Sequence, residues 1–377
     1  MRTGLLAAAI AVATATAAAT AQSTLSTQGY GYPAGPMSSR ALATGGGVAE
    51  LDPLSALNPA ALTTWGRSGL YAQFGPEFRS VEAGGTTDES TIIRFPLITG
   101  AINSGESWTF GLSFSNVLDR TWGSQVTGWY PLTSGDSVAY TQVFTSGGAL
   151  TNVRFTAAYR ASNRFRVGFG LHFLTGQNTL QVAEAFADSG YATFLQVTVV
   201  NLSGNAASGG LEWSPINSLA IGLSGQWGGV MRGRRNDSLV SNGRVPSRVG
   251  GSLLFAGISG VTLMANTEWT EWSAMNGLGQ SAELAVDTWE YGIGAEMRIA
   301  GMGGADLPLR LGYRSRTLPF QADGQDVKET EYTAGIGIPV SNGRGRFDFA
   351  LVRALRSAPL PVKESAWILN IGILVRP

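Results

Sequence analysis

Cysteine is absent from the 377-residue chain, and histidine occurs once, at position 172. The first absence excludes disulfides, a thiol nucleophile and any thiolate metal site; the second leaves no histidine pair to share a metal or a proton relay. Charge is scarce as well. Only 14% of residues are charged, 26 of each sign, so the formal net charge is zero, whereas a soluble domain usually carries about 25%. With no basic surplus, nucleic acid is excluded as a partner. Beyond the leader, no apolar run reaches the roughly 18 residues that a membrane-crossing helix requires.

What is present points elsewhere. Residues 1–21, MRTGLLAAAIAVATATAAATA, place one Arg before an apolar run ending in an A-x-A pattern at Ala19 and Ala21, and so read as a secretory signal. The remainder holds most of the 51 glycines and all ten tryptophans. An exported chain with few charges, many glycines and no apolar helix fits an outer-membrane β-barrel, whose membrane signal is spread over short alternating strands.

Alternation supports this. In FRVGFGLHF, Phe165, Val167, Phe169, Leu171 and Phe173 share one face, and Arg166, Gly168, Gly170 and His172 the other. WEYGIGAEMRI sets Trp289, Tyr291 and Ile293 against Glu290, Gly292 and Gly294, and LRLGYRSR and ETEYTAGIGIPV behave alike. Marking such segments gives about fourteen strands between residues 67 and 376. Short turns such as ASN, GISG and SNGR alternate with longer links such as AFADSG, RGRRNDSLVSNG and PFQADGQD. The expected fold is therefore all-β, a transmembrane antiparallel barrel spanning residues 67–377, with both termini on the short-turn, periplasmic side. Trp108, Trp122, Trp129, Trp213, Trp227, Trp269, Trp272, Trp289 and Trp367 fit interfacial girdles.

Such a barrel is too wide for its own side chains to fill. Residues 22–66 precede the first strand, and their natural place is the lumen, where Gly168, Gly170, Gly222, Gly250, Gly292, Gly294, Gly312, Gly335 and Gly337 leave room for another backbone. Inward-facing charges, Glu290, Glu296, Arg298, Arg310, Arg314, Arg316, Glu329 and Glu331, form a nearly balanced cluster on adjacent strands. It reads as an ion-paired network, or alternatively as a site where Arg310 or Arg314 grips a carboxylate head group. His172, mid-strand and without a nucleophile elbow, reads as structural, so no enzyme is expected.

The segment SRALATGGGVAELDPLSALNPAAL, with Asp52 and the run Asn58, Pro59, Ala60, resembles the N-terminal plug of the FadL family. The likeness continues in VPSRVGGSLLF with LMANTEWTEWS, in LPLRLGYRSRTLPF, and in EYTAGIGIP with RFDFAL. It implies a monomeric, cofactor-free channel among outer-membrane lipids. Small hydrophobic ligands such as long-chain fatty acids would enter from outside, meet a gating plug and leave sideways through the wall. Asn116, Arg120 and Gly123, in a run that breaks alternation, mark where that wall would open, while Pro96, which cannot donate to a ladder, reads as a plain bulge or, alternatively, as part of the same gate. The chain is short for a fatty-acid channel, so the PorV-type barrels of the same superfamily, which attach partners of a secretion system, are the alternative.

Overall fold

The computed structural model describes residues 25–27, 29–132, 136–279, 284–300, 306–340 and 344–376. The expected signal, residues 1–21, lies outside the described residues.

Strand segments follow the alternation. They are β1 (Gly69–Ala83), β2 (Thr86–Arg94), β3 (Leu97–Ser104), β4 (Trp108–Asp119), β5 (Trp122–Pro131), β6 (Ser137–Arg160), β7 (Phe165–Phe186), β8 (Phe194–Ile216) and β9 (Leu219–Arg235). There follow β10 (Ser238–Arg244), β11 (Arg248–Ile258), β12 (Val261–Thr270), β13 (Thr288–Ala300), β14 (Asp306–Thr317), β15 (Lys328–Val340), β16 (Gly345–Ser357) and β17 (Val362–Val375). Three pairs of consecutive segments share one neighbour and form single staves: β2 with β3 along β1, β4 with β5 along β6, and β10 with β11 along β9. The result is a 14-stranded antiparallel barrel, closed where β1 pairs with β17 from Leu70↔Val375 to Ala83↔Val362.

Exposure follows parity. Phe165, Phe169, Leu171 and Phe173 on β7 and Trp289, Tyr291 and Ile293 on β13 are exposed, while His172 and Glu290 are buried. This inside-out pattern is what a lipid-facing wall demands. Trp272 departs from the expected girdle. It lies on a 3-10 helix (Trp272–Leu278) and is buried in an apolar cluster with Tyr30, Leu118, Met231, Val245, Met275 and Phe320.

The two rims also differ from expectation in one respect. Among the described residues the short-turn end is as predicted, the expected turns at 301–305 and 341–343 lying outside them, but at the other end several links are tight because the strands run on. RGRRNDSLVSNG is a hairpin, β9 turning into β10 through Asn236 and Asp237 alone, both with positive φ (48° and 63°). Asn and Asp tolerate that region and suit a two-residue turn matched to strand twist. A membrane-crossing strand needs about 9–11 residues, whereas β6, β7 and β8 have 24, 22 and 23. Their upper halves, with β5 and the β9–β10 hairpin, therefore extend past the height that such a crossing needs.

Residues 29–66 sit inside this wall. Ser38 caps a single helical turn, α1 (Ser39–Ala43), by accepting from the Ala41 N–H at 3.2 Å. Two 3-10 turns follow, Ala49–Leu51 and Pro59–Trp65. The segment touches β14, β15, β16 and β17 through α1, β9 and β11 through the first 3-10 turn, and β4, β6, β7 and β8 through the second. Its leading end was expected on the short-turn side. Instead Leu25 packs with Leu318, Ala322 and Val327 at the opposite rim, because an apolar pocket exists there under the 318–327 loop.

Candidate functional site: a filled lumen and an interrupted wall

The glycine-lined faces admit the N-terminal backbone. A Cβ on Gly292 would stand 2.1 Å from the Gly45 carbonyl oxygen, and one on Gly312 2.2 Å from the Gly45 nitrogen. Gly294 and Gly335 stand equally close to Thr44 and Ala43, Gly222 and Gly250 to Glu50, and Gly168 to Pro59. No side chain fits at these positions while the segment is seated, whereas Gly170 and Gly337 face barrel side chains, Ser208 and Pro308, rather than the segment.

Asn58 fixes the far end. Its Oδ1 accepts from the Ala60 N–H at 2.9 Å, and its Nδ2 donates to the carbonyls of Glu50 (2.9 Å) and Leu211 (3.0 Å). Pro59 opens the 3-10 turn, where a missing N–H costs nothing, and Ala60 is fully buried behind it. Asp52 accepts from the hydroxyls of Ser38 (2.5 Å) and Ser55 (2.8 Å) and lies 3.9 Å from Arg40. These four residues thus hold the segment to itself and to β8.

The expected charge cluster exists, with one member lost and several gained. Arg310 pairs with Glu296 and Asp348, both at 2.7 Å; Arg314 with Glu290 (2.6 Å) and Glu331 (3.2 Å); Arg316 with Glu329 (2.6 Å). Arg40 of the N-terminal segment joins Glu296 at 3.3 Å. Arg298 is exposed beside a short turn and takes no part, because the strand leaves the lumen there. The network instead runs on across the barrel closure. Arg356 bridges Glu77, Glu329 and Glu364, Arg79 joins Glu77 and Glu364, and Arg94 joins Glu77 and Asp119. Arg310 and Arg314 are therefore committed to protein carboxylates. His172 is also structural, its ring held between Asn152 (3.0 Å) and Ser208 (2.8 Å).

Tyr32, given no role by the sequence, lies at the hub. Arg94, Arg316 and Arg356 stand over its ring at 5.0, 5.2 and 4.6 Å, a threefold cation–π contact. Its hydroxyl accepts from Arg316 at 2.7 Å and donates to Glu329 at 3.1 Å. Burial, reinforced by the Glu329 carboxylate, pushes its phenol up to about 12. Its place in GYGYP, between Gly31 and Pro33, was the available signal: a large residue set between a freely bending and a fixed backbone position.

The wall itself is interrupted. The β3–β4 ladder ends at Leu97↔Ser115, with one more bond from the Asn116 N–H to the Pro96 carbonyl at 2.9 Å. Beyond it, among the described residues, no ladder joins β2 to β5, although each continues alone on its other neighbour. Pro96 and Asn116 are thus brought together at the base of a notch. Arg120 stands above, its guanidinium 5.6 Å from the Tyr30 ring, and Gly123 lies on the free edge of β5. Arg94 reaches across from β2 to Asp119 at 2.5 Å.

Inside the notch is a cavity of about 120 Å³. Pro36, Met37 and Leu57 line it from the N-terminal segment, Leu174 from the wall, Val245 from the β10–β11 junction, Trp272 from the 3-10 helix, and Ser115 and Val117 from the notch. Its arginines, Arg248, Arg314 and Arg316, are all ion-paired, Arg248 with Glu50 and Glu268 at 2.6 Å each.

The architecture is that of a closed β-barrel with an apolar outer face and an occupied lumen. More particularly, it is the fold of the FadL-like barrels. The Ralstonia pickettii toluene transporter TbuX superposes with a TM-score of 0.58 at 16% identity, over 91% of this chain and 98% of that one. A Pseudomonas aeruginosa FadL homologue gives 0.57 at 12% identity, over 95% and 100%. The Pseudomonas putida toluene transporter TodX gives 0.57 at 14%, over 93% and 99%. No family model and no curated protein sequence matches the chain.

Proposed function

We propose that this barrel takes up small, uncharged hydrophobic molecules across the outer membrane and releases them sideways through the notch between β2 and β5. The observation that carries the reading is the meeting of cavity and gap: Ser115 and Val117 line the cavity and belong to the stretch where β4 leaves its partner. The toluene transporters that share the fold support the hydrophobic cargo. Residues 22–66 act as the plug, with Asn58, Pro59, Ala60 and Asp52 anchoring it and Tyr32 gating the notch.

The ion pairing favours neutral cargo over long-chain fatty acids. A carboxylate head group entering the cavity would have to displace a protein carboxylate from Arg248, Arg314 or Arg316, trading one pair for another and leaving a buried anion behind. The apolar surfaces of Met37, Leu57, Leu174 and Trp272 need no such exchange. The alternative of a secretion-system attachment barrel draws no support from these likenesses.

The cysteine-free sequence provides a clean test. Tyr32 and Asp119 form a doubly hydrogen-bonded antiparallel pair, which sets their Cα atoms about 5.5 Å apart, so a disulfide in Tyr32→Cys/Asp119→Cys would lock the gate across the notch. Uptake of toluene into cells should fall about tenfold or more when the pair is oxidised and return on reduction. Unchanged uptake with complete cross-linking would eliminate the lateral route. Faster uptake of oleate than of toluene by the reduced protein would eliminate the neutral cargo.

A further inference from the structure

Among the described residues, the exposed arginines divide by rim. Arg67, Arg164, Arg298 and Arg344 border the short turns, whereas Arg232, Arg234, Arg235 and Arg244 all sit on the β9–β10 hairpin at the opposite end. Parity sorts the hairpin further. Met231 and Gly233 are buried, so Val230, Arg232 and Arg234 face outward, away from the lumen. The ladders place Ser203 beside Arg232 and Asn201 beside Arg234 on β8, and Asn242 opposite Arg232 and Arg244 opposite Val230 on β10. Three guanidinium groups and three hydrogen-bonding side chains therefore share one outward patch about 10 Å wide. Glu271, 3.5 Å from Arg244, is the carboxylate that reaches it.

Height fixes what the patch meets. A lipid-facing band about 25 Å tall is crossed in about 9–11 residues of tilted strand. Counted from Leu219 at the short turn, it ends near Val230, above the exposed Trp227. Arg232, Arg234 and Arg244 are the outward residues at and just beyond that boundary, where lipid headgroups lie. Like charges on one face repel each other, and an anion of matching geometry relieves the repulsion.

We propose that this face docks the phosphorylated headgroup of an outer-leaflet glycolipid. Arg232, Arg234 and Arg244 take its phosphates through bidentate hydrogen bonds, and Asn201, Ser203 and Asn242 meet its sugar hydroxyls. The proposal rests on the outer-membrane reading of the barrel.

Full-length protein in mild detergent, offered lipid A or phosphatidylethanolamine and weighed by native mass spectrometry, tests it. Wild type should retain lipid A about tenfold more strongly than phosphatidylethanolamine. Arg232→Gln/Arg234→Gln, which removes two charged donors each worth about tenfold, should abolish that preference, while Arg164→Gln/Arg298→Gln should not. Arg244→Gln gives a second reading if the double variant fails to fold. Equal retention by hairpin variant and wild type, or of both lipids, overturns the site. Flotation with liposomes separates the underlying reading: a barrel that does not float fails as a membrane protein, whereas one that floats without headgroup preference fails only this proposal.

Discussion

Tyr32 and Asp119 exchange both of their backbone hydrogen bonds, at 2.8 and 2.9 Å, on the edge of β4 that faces the notch. Tyr32 thus occupies the place that β2 would take if the wall were zipped. Because its phenol is raised from 10.0 to about 12, its contribution to stability is fully present below pH 10.0 and is lost as pH rises through about 12. Alkaline unfolding of wild type and Tyr32→Phe should therefore converge over that window, since Phe cannot ionise. Parallel curves would show that the hydroxyl contributes nothing.

Gly292 and Gly312 face backbone atoms of Gly45 that no rotamer change can move aside. Gly292→Val or Gly312→Val should expel the N-terminal segment while the β13–β14 ladder survives. Single-channel recording in planar bilayers should then show an ion conductance several-fold above wild type, approaching an open lumen. A conductance equal to wild type would mean that the segment re-seats elsewhere.

Arg356 is fully buried against three carboxylates, Glu77, Glu329 and Glu364. Removing it leaves the three carboxylates to Arg79, Arg94 and Arg316 and the buried network one positive charge short, which costs about 3–5 kcal/mol. Arg356→Met should lower the urea midpoint far more than Arg353→Met, which removes an arginine stacked outside on Trp367 at 5.1 Å. Equal losses would place the stabilisation in side-chain packing rather than in charge.

Asn58→Asp separates the two jobs of that side chain. The carboxylate can still cap Ala60, but it cannot donate to Glu50 and Leu211. Each buried carbonyl left without a donor costs about 1–3 kcal/mol, so Asn58→Asp should be nearly as harmful as Asn58→Ala. Hydrogen exchange at Ala60 and Leu62 should rise in both variants. Wild-type protection in the Asp variant would make the cap the whole role.

The barrel was legible because its wall repeats one physical rule, apolar outward and small or polar inward, fourteen times over. The break near Asn116 and the glycine track for the plug followed from the same rule. The network was only half legible: Glu290, Arg314 and Glu331 lie on strands close in sequence, whereas Arg356 and Glu77 are 279 residues apart and meet only because β17 closes on β1. Parity alone could have flagged Glu77, Arg94 and Arg356, each a charge on an inward-facing position of its strand. Arg298 misled because parity says which face a residue takes, not where the lumen ends. The projecting hairpin was hidden because a polar, arginine-rich run reads as a loop until its two-residue turn is seen.

Closure of β1 on β17 also imposes an order of events on biogenesis. The N-terminal segment emerges from synthesis first, yet its Ser26 hydroxyl bonds Glu364, 338 residues later, on the last strand. The ring cannot shut around a guest that has not arrived, nor easily admit one afterwards past Arg356 and its carboxylates. The nascent wall must therefore wrap its occupant before sealing, so the plug serves as a mandrel for the barrel that later confines it. High sequence separation of these contacts makes that sealing the slow step.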